Sequence, residues 1–261
     1  MKIDTSSYYP KSLLEDDSED EGITIGNDKE LIPSETPKEN KRQDEKEDSD
    51  PDLPPTEMEH LADRLSTFLS WIMVPLLMPV YGIILAFNCS ILDFTPLRTK
   101  LVFTAIAVGI NVALPVLLMM LLKRVGLISD MGLNGRKERL IPYVITVLCM
   151  GVTGFFMGMR GAPVWLEMFF YGGAVAAFVN MGVNFCWKIS AHAAGIAGVV
   201  ALMVRIISVG YPQKSAFLWL IISILLAGFL GSSRLWLGRH TVWQVLAGYA
   251  VGFLSVLLLT L

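Results

Sequence analysis

Acidic residues are scarce in most of this chain. Only five of the 24 acidic residues lie beyond residue 60, whereas the first 60 residues carry 19 of them and 7 of the 21 basic ones. The first 60 residues therefore have a net charge of −12, and the remainder has a net charge of +9. A soluble globular protein spreads charged residues along its chain, because its whole surface must be solvated. The distribution excludes a wholly soluble globular protein.

Several signals of common function classes are also missing. The three cysteines, Cys89, Cys149 and Cys186, are odd in number and lack the spacing of metal ligands. They therefore predict neither a disulfide framework nor a zinc site. The sequence contains no internal repeat and no glycine-rich nucleotide-binding loop. These absences exclude disulfide-stabilised scaffolds, zinc proteins and nucleotide-binding proteins of the P-loop type.

Residues 1–60 lack apolar periodicity. Acidic runs at residues 15–21 and 44–48 are combined with five prolines between residues 33 and 55. Too few apolar side chains are present to offset the entropy of ordering, so we expect a disordered acidic tail. No apolar segment follows Lys2, so we expect no secretory signal peptide. We interpret the tail as a solvated extension; the alternative is an acidic arm that competes with anionic substrates for the basic core.

The remainder, residues 61–261, is rich in long apolar segments. A bilayer core of about 30 Å requires about 20 apolar residues in a helix. We therefore predict an all-α integral membrane bundle of six to seven transmembrane helices. Prolines at 75, 79 and 115 predict kinks, and the small residues at 172, 173, 176 and 177 favour close helix contacts. The candidate spans are residues 65–92, 101–122, 140–159, 168–187, 189–204, 215–233 and 241–261.

The basic residues predict an orientation. With seven spans, the loops at 123–140, 188–190 and 233–240 lie on the side of the amino-terminal tail and contain eight basic residues. The opposite loops and helix ends contain five. The positive-inside rule then places the tail and the richer loops in the cytoplasm, unless the arginines serve a substrate instead.

Three polar segments interrupt the apolar chain, each directly before a helix that enters from the same face. They are residues 134–142, 187–192 and 232–244. Polar groups at membrane depth are costly and are functional candidates by default. Guanidinium groups and helix N-termini bind phosphate oxygens, while an imidazole can act as nucleophile or general acid. The combination favours phosphoryl transfer, in which positioning and charge neutralisation carry most of the catalysis.

These segments resemble the motifs of a known family. Ser233-Arg234, followed after five residues by His240 and after three more by Gln244, resembles the third motif of the type 2 phosphatidic acid phosphatase family. Residues 189–192, Ile-Ser-Ala-His, are similar to its Pro-Ser-Gly-His motif with two substitutions, and residues 136–142 are similar to its basic first motif. Pro-Leu-Leu-Met-Pro at 75–79 is similar to a bacterial membrane branch. The resemblance covers about residues 68–261.

The resemblance implies a role for each matching residue. His240 would attack phosphorus and form a phosphohistidine, and His192 would protonate the leaving oxygen. Arg234 and Arg139 would hold the phosphate oxygens, helped by Ser190. No metal or cofactor is implied, because histidine and arginine perform the chemistry.

The sequence departs from the family's pattern at two places. The first motif of the family has a lysine seven positions before an Arg-Pro pair, and both are missing here. If residues 136–139 are helical, Arg136 lies one turn from Arg139 and would share the phosphate with it. Lys137 or Lys188 is a candidate for the missing lysine charge. The family's acid four residues after the nucleophilic histidine is Gln244 here, whose amide can orient His240 but supplies no charge.

The same residues also have simpler interpretations. Arg136, Arg139, Arg234 and Lys188 can anchor helices at the lipid headgroups, as we expect for Arg239. Gln244 can serve as an interhelical hydrogen bond.

We therefore expect a membrane phosphatase that removes the terminal phosphate of a lipid phosphate or diphosphate, located in a bacterial inner membrane. Its partners would be the lipid substrate and the bilayer, with no nucleic acid. The alternatives are a lipid-phosphate binder or flippase that retains the anion site, a structural protein that acts through its tail, and lastly a haloperoxidase.

Overall fold

The computed structural model describes residues 57–126, 140–209 and 213–261. Within these ranges the chain forms helices joined by short turns, with no β-strand. The predicted disorder of the tail, apart from residues 57–60, concerns residues outside these ranges. The first basic segment also lies outside them up to residue 139. The helices are α1 (Glu57–Ile72), α2 (Met78–Cys89), α3 (Leu97–Val108), α4 (Leu114–Arg124), α5 (Leu140–Met159), α6 (Val164–Cys186), α7 (Ala191–Ser208), α8 (Ala216–Trp236) and α9 (Val242–Thr260).

These helices confirm the predicted membrane architecture. Among the described residues, six helices are long and apolar enough to cross a bilayer, with α3 and α4 together forming the 28-residue span Leu97–Arg124. A seventh crossing results if the bent pair formed by α1 and Pro75–Cys89 is one span. The protein is therefore an all-α, multi-pass membrane protein.

The first predicted span is broken at its prolines. A 3-10 turn at Pro75–Leu77 separates α1 from α2, and the two parts meet at 41°. Proline lacks the N–H that a continuous helix requires, so the chain bends in the segment that contains Pro75 and Pro79. The second span contains a π-helical turn, Gly109–Ala113, directly before Pro115.

Helix α1 begins earlier than the sequence predicts. Residues 57–60, which we assigned to the tail, form its first turn. Glu57 and Glu59 lie in this turn, where acidic side chains stabilise the positive end of the helix dipole. The four residues therefore belong to the helical unit.

Helix α7 lies at the centre of the bundle. Ala201, Leu202 and Met203 are fully buried, and α7 packs most extensively against α9. A side chain at Gly252 of α9 would overlap the backbone carbonyl of Ala194 in α7. Small residues thus allow the two backbones to approach closely, as is typical of membrane helices. This contact brings the beginnings of α7 and α9 together.

The small residues of α6 serve two different purposes. Gly172 faces α9, where an added Cβ would lie 2.8 Å from the Cα of Val256. This is the close helix contact predicted from the sequence. Gly173, Ala176 and Ala177 line a cavity instead.

The outer surface of the bundle is apolar. Leu117, Phe178, Phe229 and Leu258, on four different helices, are each about 60% exposed, with values of 61%, 59%, 63% and 64%. Such a large exposed apolar surface is unusual for a soluble monomer and suits contact with lipid chains.

Candidate functional site

A cavity of about 420 Å³ opens among the helices near the beginnings of α7 and α9. Its size lies within the range of small-molecule sites, roughly 300–1,000 Å³. Charged and imidazole groups lie at one end, whereas apolar residues of α2, α5, α6 and α7 form the rest of the wall. The polar and charged residues that line it are Tyr143, Thr146, Asn180, Asn184, Lys188, His192, Arg234, Arg239 and His240.

Local turns place the polar segments at the cavity. Helix α8 ends near Gly238, whose φ of 60° lies in the left-handed region that favours glycine. The backbone N–H groups of Arg239 and His240 then donate to the carbonyl of Arg234 at 3.1 and 3.3 Å. The turn therefore brings Arg234 and His240 to the same end of the bundle, although they lie on either side of a helix break.

Two hydrogen bonds connect this turn to the segment before α7. The backbone N–H of Ser190 donates to the carbonyl of Gln244 at 3.2 Å. The ammonium group of Lys188 donates to the carbonyl of Arg239 at 2.6 Å. The second and third polar segments of the sequence consequently form one structural unit.

The hydrogen bonds of Gln244 determine the tautomer of His240. Oε1 of Gln244 lies 3.1 Å from Nδ1 of His240 and 3.2 Å from the backbone N of Thr241. A backbone N–H can only donate, so this atom of the amide is the oxygen. Nδ1 of His240 then donates to this oxygen, and in the neutral imidazole the lone pair lies on Nε2.

The second imidazole lies close to the first. His192 lies within electrostatic range of Arg234 and His240 and close to the backbone of Ser70. Nη1 of Arg234 donates to the Ser70 hydroxyl at 3.4 Å. Ser70 of α1 therefore hydrogen bonds to Arg234 and lies near His192, although α1 precedes both residues by more than a hundred positions.

The charged end of the cavity is cationic. Lys188, Arg234 and Arg239 line it, and none of the lining residues within the described ranges is acidic. Nε of Arg234 is buried and has no hydrogen-bond partner among the described residues. This arrangement suits an anion with several oxygen atoms, because guanidinium groups bind phosphate through more than one hydrogen bond.

Some of the predicted site residues line the cavity and others do not. His240, His192, Arg234 and Lys188 line the cavity, and Gln244 contacts it through His240. Ser190 does not belong to the lining: it is fully buried, and its hydroxyl accepts from the backbone N–H of Ala193 as the cap of α7. Arg136 and Arg139 lie outside the described residues.

Several polar residues that line or contact the site were not predicted as parts of it, among them Tyr143 and Thr146 of α5. Arg239, which we expected at the headgroups, lines the cavity. Ser70 contacts Arg234, while Asn180 and Asn184 line the cavity from α6. The polar third segment contained a signal for Arg239, and asparagines within an apolar span are a signal for the α6 pair.

The fold and cavity define a multi-pass helical membrane protein with an amphipathic, cationic internal site. Comparison of the chain with protein-family models, curated proteins and solved structures finds no match to any of them.

Proposed function

We propose that this protein is a membrane phosphatase that hydrolyses the terminal phosphate of a lipid phosphate or diphosphate through a phosphohistidine intermediate. The observation that carries the proposal is the hydrogen bond from His240 to Gln244, which directs the Nε2 lone pair away from the amide, beside a cationic cavity. The motif resemblance of residues 189–192 and 233–244 supports the same activity. On that resemblance, the membrane is the inner membrane of a bacterium.

In the first step, Nε2 of His240 forms a bond to phosphorus while the bond from phosphorus to the lipid oxygen breaks. The leaving oxygen takes the electron pair of that bond and receives a proton from His192. Arg234 neutralises charge on the phosphate oxygens. The negative charge of the bound phosphate would favour the protonated imidazole that His192 needs for this step.

In the second step, water attacks the phosphohistidine and the N–P bond breaks. His192, now neutral, accepts a proton from the attacking water, and inorganic phosphate leaves. Gln244 keeps Nδ1 of His240 protonated throughout, so that the same nitrogen, Nε2, serves as nucleophile and leaving group.

The shape of the cavity supports a lipid substrate. Beyond the cationic end, its wall contains Met78, Met150, Phe169 and Val256. A phosphate can therefore occupy the charged end while hydrocarbon lies among the helices. A phosphate ester without an apolar chain would make none of the contacts with this wall.

The test is phosphate release by the detergent-purified full chain. Phosphatidate, phosphatidylglycerol phosphate and a polyprenyl diphosphate serve as substrates. His240→Ala should abolish release, whereas His60→Ala, which changes an exposed histidine of α1 away from the cavity, should retain it. Unchanged release by His240→Ala would overturn the proposed mechanism.

One observation favours a second candidate function. Gln244 is neutral, so it cannot stabilise the charged imidazole of His240 as a carboxylate would. A lipid-phosphate binder or flippase that retains the anion site is therefore the alternative. It predicts specific binding of lipid phosphates without phosphate release, and binding that survives His240→Ala.

A further inference from the structure

Two asparagines lie on the cavity face of α6. Asn180 and Asn184 are one helical turn apart and are 2% and 3% exposed. Gly173 and Ala177 continue the same face toward the beginning of the helix. Polar amides within a membrane span are costly unless they have partners, so their presence in the cavity wall indicates a function.

Asn180 is the more informative of the two. Its Oδ1 is buried and has no hydrogen-bond partner among the described residues. A buried acceptor without a partner costs about 1–3 kcal/mol, and native proteins leave few of them. A ligand group in the cavity would supply the missing partner.

Asn111 provides a contrast within the same protein. It is also buried and also has an unpartnered Oδ1, but its Nδ2 donates to Oγ1 of Thr153 at 2.8 Å and to the carbonyl of Ala107 at 3.0 Å. Asn111 does not line the cavity. The amide of Asn111 joins two helices, whereas Asn180 belongs to the cavity wall.

The position of Asn180 separates two regions of the cavity. Helix α6 ends at Cys186, next to Lys188 at the cationic end. Asn180 lies one turn, or about 6 Å along the helix axis, farther from that end than Asn184. Gly173 and Phe169 lie deeper still. The amide therefore borders the part of a lipid phosphate that joins its headgroup to its chain.

We propose that Asn180 binds a hydroxyl group of the lipid substrate close to its phosphate, so that hydroxylated lipid phosphates are preferred over those without a hydroxyl. The inference rests on the proposed function, because it assumes a phosphate at the cationic end. A hydroxyl both donates and accepts, so it matches the amide in either orientation. A hydrocarbon segment, as in a polyprenyl phosphate, leaves Oδ1 without a partner.

The experiment uses two ligands that differ in one group. A 1-acylglycerol phosphate has a free hydroxyl beside the phosphate, and its 2-deoxy analogue with the same acyl chain lacks it. Dissociation constants and rates of phosphate release are measured for both with the full chain. We expect the wild-type protein to prefer the hydroxylated lipid by about tenfold, as one satisfied hydrogen bond in a buried site allows.

The variants assign the preference to the amide. Asn180→Leu should reduce the ratio to about one by weakening binding of the hydroxylated lipid, with the 2-deoxy analogue little affected. Asn88→Leu, at an exposed position near the end of α2, is the matched control and should retain the preference. If Asn180→Leu does not fold, Asn180→Ala makes the same test with a smaller side chain.

The outcomes separate the two proposals. Equal affinity of wild-type protein for both ligands, or a preference that survives in a folded Asn180 variant, would overturn the role of Asn180 even if both lipids are hydrolysed. A preference in binding that Asn180→Leu removes would support it even without phosphate release, in which case the phosphatase proposal fails instead.

Discussion

Oε1 of Gln244 lies 3.1 Å from Nδ1 of His240, the residue directly before the N-cap of α9, and accepts the N–H of Thr241 as well. One side chain thus caps α9 and orients the imidazole. In a charged triad the corresponding acid also stabilises the imidazolium. The neutral amide here provides orientation without that charge.

Gln244 therefore permits a direct test of orientation against charge. Gln244→Leu removes both acceptor contacts, and kcat for phosphate release should fall by at least about tenfold because the tautomer is no longer determined. Gln244→Glu keeps the reach of the side chain and adds charge, so kcat should rise. Steady-state kinetics check both values.

The loss of the cap is a separate effect of Gln244→Leu. It should lower the free energy of unfolding by about 1 kcal/mol, which thermal unfolding measures. A folded Gln244→Leu protein with wild-type kcat would contradict the role assigned to the amide.

Ser70 connects α1 to the site. Ser70→Ala removes the hydroxyl that accepts from Arg234, and we expect KM to rise about threefold with kcat little changed, because a long hydrogen bond contributes modestly. Ser66→Ala, one turn earlier and similarly buried, is the matched control. An equal rise in both variants would show a general effect of α1 packing.

Lys188 is a candidate phosphate ligand that also holds the segment before His240. Its 2.6 Å hydrogen bond to the Arg239 carbonyl predicts that Lys188→Met lowers kcat by about tenfold, because the imidazole loses its position. A rise in KM alone would instead identify a direct phosphate contact. Lys214→Met, an exposed lysine before α8, should change neither.

The contact between α7 and α9 depends on Gly252. Gly252→Ala places a methyl group against the Ala194 carbonyl, so thermal unfolding should show a loss of about 1–3 kcal/mol. Gly228→Ala is the control, since an added Cβ there meets no described atom within 4 Å. Equal Tm values for the two variants would contradict the close packing.

Much of the fold is predictable from local sequence. The long apolar segments predict the spans because a chain in lipid must satisfy its backbone hydrogen bonds internally. The break at Pro75 follows from the missing proline N–H. The start of α1 at Glu57 was missed, because the acidic residues that favour a helix N-terminus also resemble the composition of the tail.

The site is only partly predictable from the sequence, because local spacing predicts some of its contacts and not others. His240 and Gln244 are four residues apart, and the turn at the N-cap Thr241, directly before α9, brings them together without any tertiary contact. The burial of Ser190 as a helix cap has no comparable signal, because a serine before a helix can turn its hydroxyl toward a ligand or toward the backbone.

The sequence by itself determined the helical membrane architecture, the polar segments and the local pair of His240 and Gln244, since each depends on composition or on short spacing along the chain. The tertiary structure decided that Asn180 and Arg239 line the same cavity as the two histidines, and that Ser70 contacts Arg234 beside it. Ser70 and Arg234 are 164 residues apart, and their contact depends on how whole helices pack. This packing depends on the close approach of two backbones at residues such as Gly252. The pattern of apolar residues in the sequence does not predict which small residues make such contacts.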